Sequence, residues 1–127
     1  RNKFQLIGKY KFQCASDVNW HGLKSKFSPR LVMSIDILFH LIENHVLHKY
    51  TKNLFRFENT TVVIYSRNRN LEDSAPHIRN LTFTDWIAAN APEWELLEKV
   101  DNPYPWSEVA PDSTSFSDFY FLRRSAA

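Results

Sequence analysis

Apolar and polar positions follow three different rhythms along this chain, and each predicts a different kind of element. Phe4 and Leu6, then Tyr10 and Phe12, alternate with polar residues on either side of Ile7-Gly8-Lys9. A period of two around a glycine predicts an N-terminal β-hairpin over residues 3–14. Asp17 to Leu23 offers an Asx-type start to a short helical turn that sets Trp20 and Leu23 on one face, ended by Phe27-Ser28-Pro29. Ser34 is a good N-cap and Asp36 suits a positive helix terminus, so one main amphipathic helix is predicted from Ser34 to about Tyr50. Its apolar stripe is Ile35, Leu38, Phe39, Ile42 and Val46, with Leu41 and Leu47 outside the stripe. Leu54-Phe-Arg-Phe57 and Thr61-Val-Val-Ile-Tyr-Ser66, joined by Glu58-Asn59-Thr60, read as a second β-hairpin. A polar loop follows over Arg67 to Ile78. Thr82 or Thr84 is expected to cap a short helix through Asp85–Ala89, and Glu93 to Val100 to form another helical turn after Pro92. Pro103, Pro105 and Pro111 make Asn102 to Ser117 irregular, and Phe119 to Leu122 is expected to be a last strand closing the sheet.

These elements predict an α+β fold: a small single domain with an N-terminal β-hairpin, one main helix, a second hairpin and an irregular, proline-containing C-terminal part. Composition supports a folded globule. Of 127 residues, 43 % are hydrophobic and only two are Gly, while ten Phe, five Tyr and four Trp supply material for a core. A chain of this length buries roughly two thirds of its unfolded surface. It opens on Arg1 without an initiator Met or a leader pattern, so 1–127 reads as one interaction domain excised from a longer chain. The lone Cys14 cannot close an internal disulfide and suits a reducing compartment. The longest apolar run in the helical segment falls far short of the roughly 20 residues that cross a bilayer. No membrane partner is expected. The net charge of +2 is unevenly spread: residues 1–56 carry +7 and residues 57–127 carry −5.

No residue pattern points to catalysis. His40, His45 and His48 spread over about 140° of a helical wheel and meet no second Cys or His cluster, so no metal is expected. A Cys14 and His21 nucleophile and base pair lacks any local signature. Glu93, Glu95 and Glu98 beside Trp94 and Leu96-Leu97 read as a solvated face over a core stripe in preference to paired catalytic carboxylates. With only Gly8 and Gly22, no glycine-rich phosphate loop exists and no cofactor is implied. Lys9-Tyr10-Lys11-Phe12 would suit stacking on single-stranded nucleic acid, but a hairpin with one buried aromatic face and one solvated lysine face gives the same pattern and is preferred. Trp86, Trp94, Trp106 and Tyr104 are more large aromatics than a small core readily encloses, so one or two are candidates to anchor a partner.

The run Val18-Asn-Trp-His-Gly-Leu-Lys-Ser-Lys-Phe-Ser-Pro29, then Ser34-Ile-Asp-Ile-Leu-Phe39, then Leu54 to Asn68 resembles the repeated domain of the silent information regulator one proteins of budding yeasts. The resemblance spans roughly residues 4–69 and is carried by Trp20, Leu23, Lys24, Ser34, Asp36, Ile37 and Leu38. It implies a nuclear, non-enzymatic module that binds the bromo-adjacent homology domain of the origin recognition complex's largest subunit and recruits other silencing proteins. No family interface motif maps onto single positions, so the partner surface is placed on the first hairpin for its basic and aromatic residues: Lys3, Phe4, Tyr10, Phe12 and Gln13. The alternative is a nucleic-acid-binding domain that uses the basic N-terminal half.

Overall fold

In the computed structural model, residues 13–70 and 75–126 are described. They form an α+β fold built on one mixed four-stranded sheet. Helix α1 (Trp20–Lys26) leads into strand β1 (Leu31–Ile35), helix α2 (Asn44–Leu54) and strand β2 (Thr61–Ser66). Helix α3 (Phe83–Asn90) and strands β3 (Trp94–Val100) and β4 (Asp118–Arg124) follow. The strand order is β1-β2-β4-β3. β1 and β2 run parallel across a crossover that contains α2, and β4 lies antiparallel between β2 and β3. No helix among the described residues is long and apolar enough to cross a membrane.

Among the described residues, the helices and the main core cluster pack on one face of the sheet. Leu47 and Leu54 of α2 and Phe83 and Ile87 of α3 meet Val62, Ile64, Tyr120 and Leu122 of the two central strands, with Leu38, Ala91 and Trp94 completing the cluster. The Phe83 ring meets Tyr120 edge-on at 4.9 Å, and Trp94 lies 4.8 Å from Phe55. This geometry favours aromatic pairs beyond the area they bury.

The expected main helix is divided. Leu31-Val-Met-Ser-Ile35 is a strand because its alternation fits a parallel ladder with Thr61 to Tyr65, so Ser34 lies inside a strand and is not an N-cap. Asp36 takes a left-handed φ of 51°, a conformation that Asp tolerates better than most residues, and turns the chain out of the strand. A 3-10 turn at Leu38–His40 precedes α2, which buries Leu47, Thr51 and Leu54. The proposed stripe therefore does not form: Ile35, Ile42 and Val46 are exposed. Nor does the second hairpin. Leu54 ends α2, and β2 takes its neighbours from β1 and β4, leaving no place for a strand over Leu54–Phe57.

Toward the C-terminus, Glu93 to Val100 is not a helical turn but holds strand β3, bulged between Leu96 and Glu98 where it pairs with β4. The last strand is found, yet it runs through the sheet interior and does not close its edge. The short helix lies where the sequence predicts it. Thr82 makes no side-chain cap bond; instead Asn70 Oδ1 accepts from Thr82 N–H at 3.1 Å and Asn68 Oδ1 from Thr84 N–H at 3.2 Å. Asn102 to Ser117 carries no strand, only a 3-10 turn at Pro111–Ser113. It is tied down by Asn102 Nδ2, which donates to the carbonyls of Ser115 and Ser117. The first hairpin, residues 3–14, lies almost wholly outside the described residues.

Candidate functional site

The pleat sends alternate side chains to opposite faces, and the register shows what the helix-free face carries. Its rows across β1, β2, β4 and β3 are Leu31, Thr61, Arg123, Glu95; then Met33, Val63, Phe121, Glu98; then Ile35, Tyr65, Phe119, Val100. The second and third rows are apolar apart from Glu98 and the Tyr65 hydroxyl. The Tyr65 and Phe119 rings meet at 4.6 Å, tilted by 41°. Leu31, Met33 and Ile35 keep 51 %, 50 % and 53 % of their surface in solvent, and Val100 keeps 40 %. A contiguous apolar patch of this kind marks an interaction surface more often than isolated exposed leucines do.

Beside β1 lies a cleft of about 390 Å³ that reaches from Val32 to Met33 and is flanked by Ala15 and Ser16. Trp20, Val32, Val46, Tyr50, Leu54 and Phe57 give it apolar walls, and Lys49 is its charged member. Tyr50, one of its walls, is held by a bond of 2.8 Å between its Oη and Ser34 Oγ. Burial raises the Tyr50 phenol above its ordinary value, and the bond to Ser34 offsets part of that rise.

At the Leu31 end of the sheet the two halves of the chain meet. Arg30, Arg123 and Arg124 line one pocket with Glu58, which accepts from Lys24 and pairs with Arg124, each at 3.1 Å. Lys24, then Arg124, holds the Glu58 carboxyl below its ordinary value. At the opposite end, Arg67 lies between Phe39 and Phe116, at 4.9 and 5.5 Å, and Arg69 covers Phe116 at 4.6 Å. Trp106 stacks on Phe116 at 4.5 Å.

Of the proposed partner contacts, Lys3, Phe4, Tyr10 and Phe12 lie outside the described residues. Gln13 is exposed, and its Nε2 donates to the Asp17 carbonyl at 3.2 Å. The three helical histidines point to different neighbours. His40 stands against the Phe39 ring, His45 Nε2 lies 3.2 Å from Glu43 Oε2, and His48 meets Trp86 edge-on. No group of three or more metal-binding side chains occurs among the described residues. Cys14 is exposed with its sulfur 3.2 Å from Ser16 Oγ, and that contact lowers its pKa. Glu95 and Glu98 sit in the open-face rows. Trp94 is core, Trp86 packs against the core, and Trp106 and Tyr104 are exposed.

Most residues that carry the family resemblance have structural work. Trp20 Nε1 donates to the Ala15 carbonyl, Lys24 bonds Glu58, Asp36 accepts from Ser117 Oγ at 2.8 Å, and Leu38 is buried. Sequence reasoning misses the open sheet face, although Leu31, Met33 and Ile35 alternating with Val32 and Ser34 is its visible signal. Compared with family models, curated proteins and solved structures, the chain finds no match.

Proposed function

We propose that the chain is a non-enzymatic protein-recognition module, a transcriptional-silencing adaptor in the nucleus whose partner is the bromo-adjacent homology domain of the origin complex's large subunit. The resemblance supplies the partner. The observation that carries recognition is the sheet face that holds no helix among the described residues, where Met33, Ile35, Tyr65, Phe119, Phe121 and Val100 form an apolar surface around the buried Val63. Tyr65 and Phe119 belong to the residue types that concentrate interface energy. The first hairpin, with Lys3, Phe4, Tyr10, Phe12 and Gln13, stays in the proposal as a further contact region.

The test is capture of the purified homology domain on this chain at about 0.3 M salt, where exposed charge contacts are largely screened. Retained binding supports the reading, and its loss in Val100→Glu with an unchanged thermal transition places the contact on the open face. No capture at either low or moderate salt overturns the partner.

A second reading, nucleic-acid binding, is favoured by one observation: Arg30, Arg123 and Arg124 converge at one end of the sheet. It requires log K to fall linearly with log salt, by about 0.7 to 0.9 for each phosphate neutralised. A flat salt response removes it.

A further inference from the structure

Among the described residues strand β1 is an edge strand, and its hydrogen bonds have a fixed phase. Thr61 N–H donates to the Arg30 carbonyl at 3.1 Å, and Asp36 N–H donates to the Tyr65 carbonyl at 2.8 Å. Main-chain groups of one residue point to the same side of a strand, so residues 30, 32, 34 and 36 turn theirs toward β2. Leu31, Met33 and Ile35 turn theirs away from the sheet. Among the described residues, nothing bonds those outward N–H and C=O groups. The same three residues hold half-exposed apolar side chains on the open face. An apolar edge whose outward main-chain groups are unpaired among the described residues is a template for another strand.

We propose that this edge pairs with the same edge of a second copy, antiparallel about a two-fold axis through Met33, to join two sheets into one. The sequence of the edge is complementary to itself in that register. Met33 faces Met33 of the second copy and Leu31 faces Ile35, each a hydrogen-bonded pair that exchanges N–H and C=O groups. All three outward residues are then used. On the helical face Val32 comes opposite Ser34. Asp36, just beyond the ladder, leaves the strand at φ 51° and its Oδ1 accepts from Ser117 Oγ at 2.8 Å, so the joint ends at Ile35. An axis normal to the sheet keeps both open faces on one side, so pairing doubles the apolar surface without covering it. An isologous two-fold contact of this form is the commonest way for a protein to associate with itself. The inference stands apart from the partner proposed above because it concerns main-chain pairing at the β1 edge, although Met33 and Ile35 also belong to the open face.

The test uses the full chain. Sedimentation at about 200 μM is expected to show a species of twice 15.0 kDa, and Met33→Asp to return it to monomer, because two like charges then sit directly opposite. Met33 is half-exposed, so this variant keeps the wild-type circular dichroism. In a Cys14→Ser background, Met33→Cys is expected to cross-link under mild oxidation, since a hydrogen-bonded pair holds its Cα atoms about 5.5 Å apart, within disulfide range. Leu31→Cys alone is expected not to cross-link, its two copies lying roughly 13 Å apart along the strands. Leu31→Cys with Ile35→Cys is expected to cross-link again. Four results overturn the proposal: a wild-type monomer at that concentration, a dimer that survives Met33→Asp, cross-linking of Leu31→Cys as efficient as that of Met33→Cys, or slow amide exchange at Leu31, Met33 and Ile35 in the monomer, which would mean that another segment of the same chain covers the edge. Loss of origin-complex binding would leave all of these measurements unaffected.

Discussion

Ser34 illustrates what a single residue can hide. A serine ahead of an apolar run is a sound N-cap candidate, yet here it is 1 % exposed and bonded to the Tyr50 hydroxyl. The pairing is long-range, and no local rule announces it. Tyr50→Phe strands a buried hydroxyl and is expected to cost about 1–3 kcal/mol in urea unfolding. Ser34→Ala costs less, about 1 kcal/mol, because the half-buried phenol can turn toward water, and the double variant costs less than the two singles added. The tyrosine also sets a pH dependence. Its phenol is raised in the fold, so its contribution is whole below the ordinary value of 10.0 and is lost as pH climbs through the folded value. Tyr50→Phe should therefore flatten the alkaline fall in stability. Glu58 acts in the opposite range. Its carboxyl is depressed by Lys24 and Arg124, so its contribution is present above 4.5 and is lost as pH falls through the folded value. Chemical denaturation of Glu58→Gln between neutral and acid pH is expected to show a shallower acid decline than wild type.

At the scale of elements, the chain is legible where local signals stand alone and illegible where two periods compete. Asn19 caps α1 through its side-chain oxygen, which accepts from Gly22 N–H at 3.0 Å, much as the Asx-type start indicates. A Cβ on Gly22 would come within 2.9 Å of Asn19 Nδ2, so Gly22→Ala pushes the cap away. Because α1 buries none of its residues, the expected result is local fraying, seen as faster amide exchange from Trp20 to Lys26, with a shift in global stability below about 1 kcal/mol. The stretch from Leu31 to Leu54 is the contrary case. Ile35, Leu38, Phe39, Ile42 and Val46 share a helical face, but Leu31, Met33 and Ile35 also alternate, and Leu47, Thr51 and Leu54 form a second helical face. The strand and the later helix prevail because β2 supplies a parallel partner to Leu31–Ile35 and Leu47 and Leu54 enter the core. These are tertiary facts that no window of sequence contains. Leu47→Ala is accordingly expected to cost about 2–5 kcal/mol in urea unfolding, against far less for Ile42→Ala, whose side chain is exposed. Equal costs would restore the single longer helix. The β3 segment misleads for a related reason: Glu95 and Glu98 look like a solvated helix face, and the bulge at Leu97 breaks the alternation that would have marked a strand.

For the molecule as a whole, charge separated along the sequence is not kept apart in space among the described residues. The first 56 residues are basic and the rest acidic, yet Arg123 and Arg124 come from the acidic half to line one pocket with Arg30 and Glu58. The fold thus places a compact basic end beside a broad apolar face, and the two make opposite demands on a partner. Binding through the apolar face is a matter of excluded water and shape, with rim charges acting mainly on the rate of encounter. Binding through the basic end depends on neutralised phosphates and released counterions, and each arginine removed subtracts a fixed increment from the salt slope. Arg30→Ala with Arg123→Ala separates the two, because neither side chain enters the buried core. If the open face carries recognition, the double variant is expected to bind its protein partner within about threefold of wild type at moderate salt, with the change confined to the association rate. If the basic end carries it, affinity for duplex DNA is expected to drop and the salt slope to shrink by about 0.9 for each phosphate no longer neutralised. Titrations across a salt series, with Val100→Glu run beside the arginine variant, read both quantities. A large drop in affinity for the arginine variant together with none for Val100→Glu would move the functional surface from the middle of the sheet to its Leu31 end.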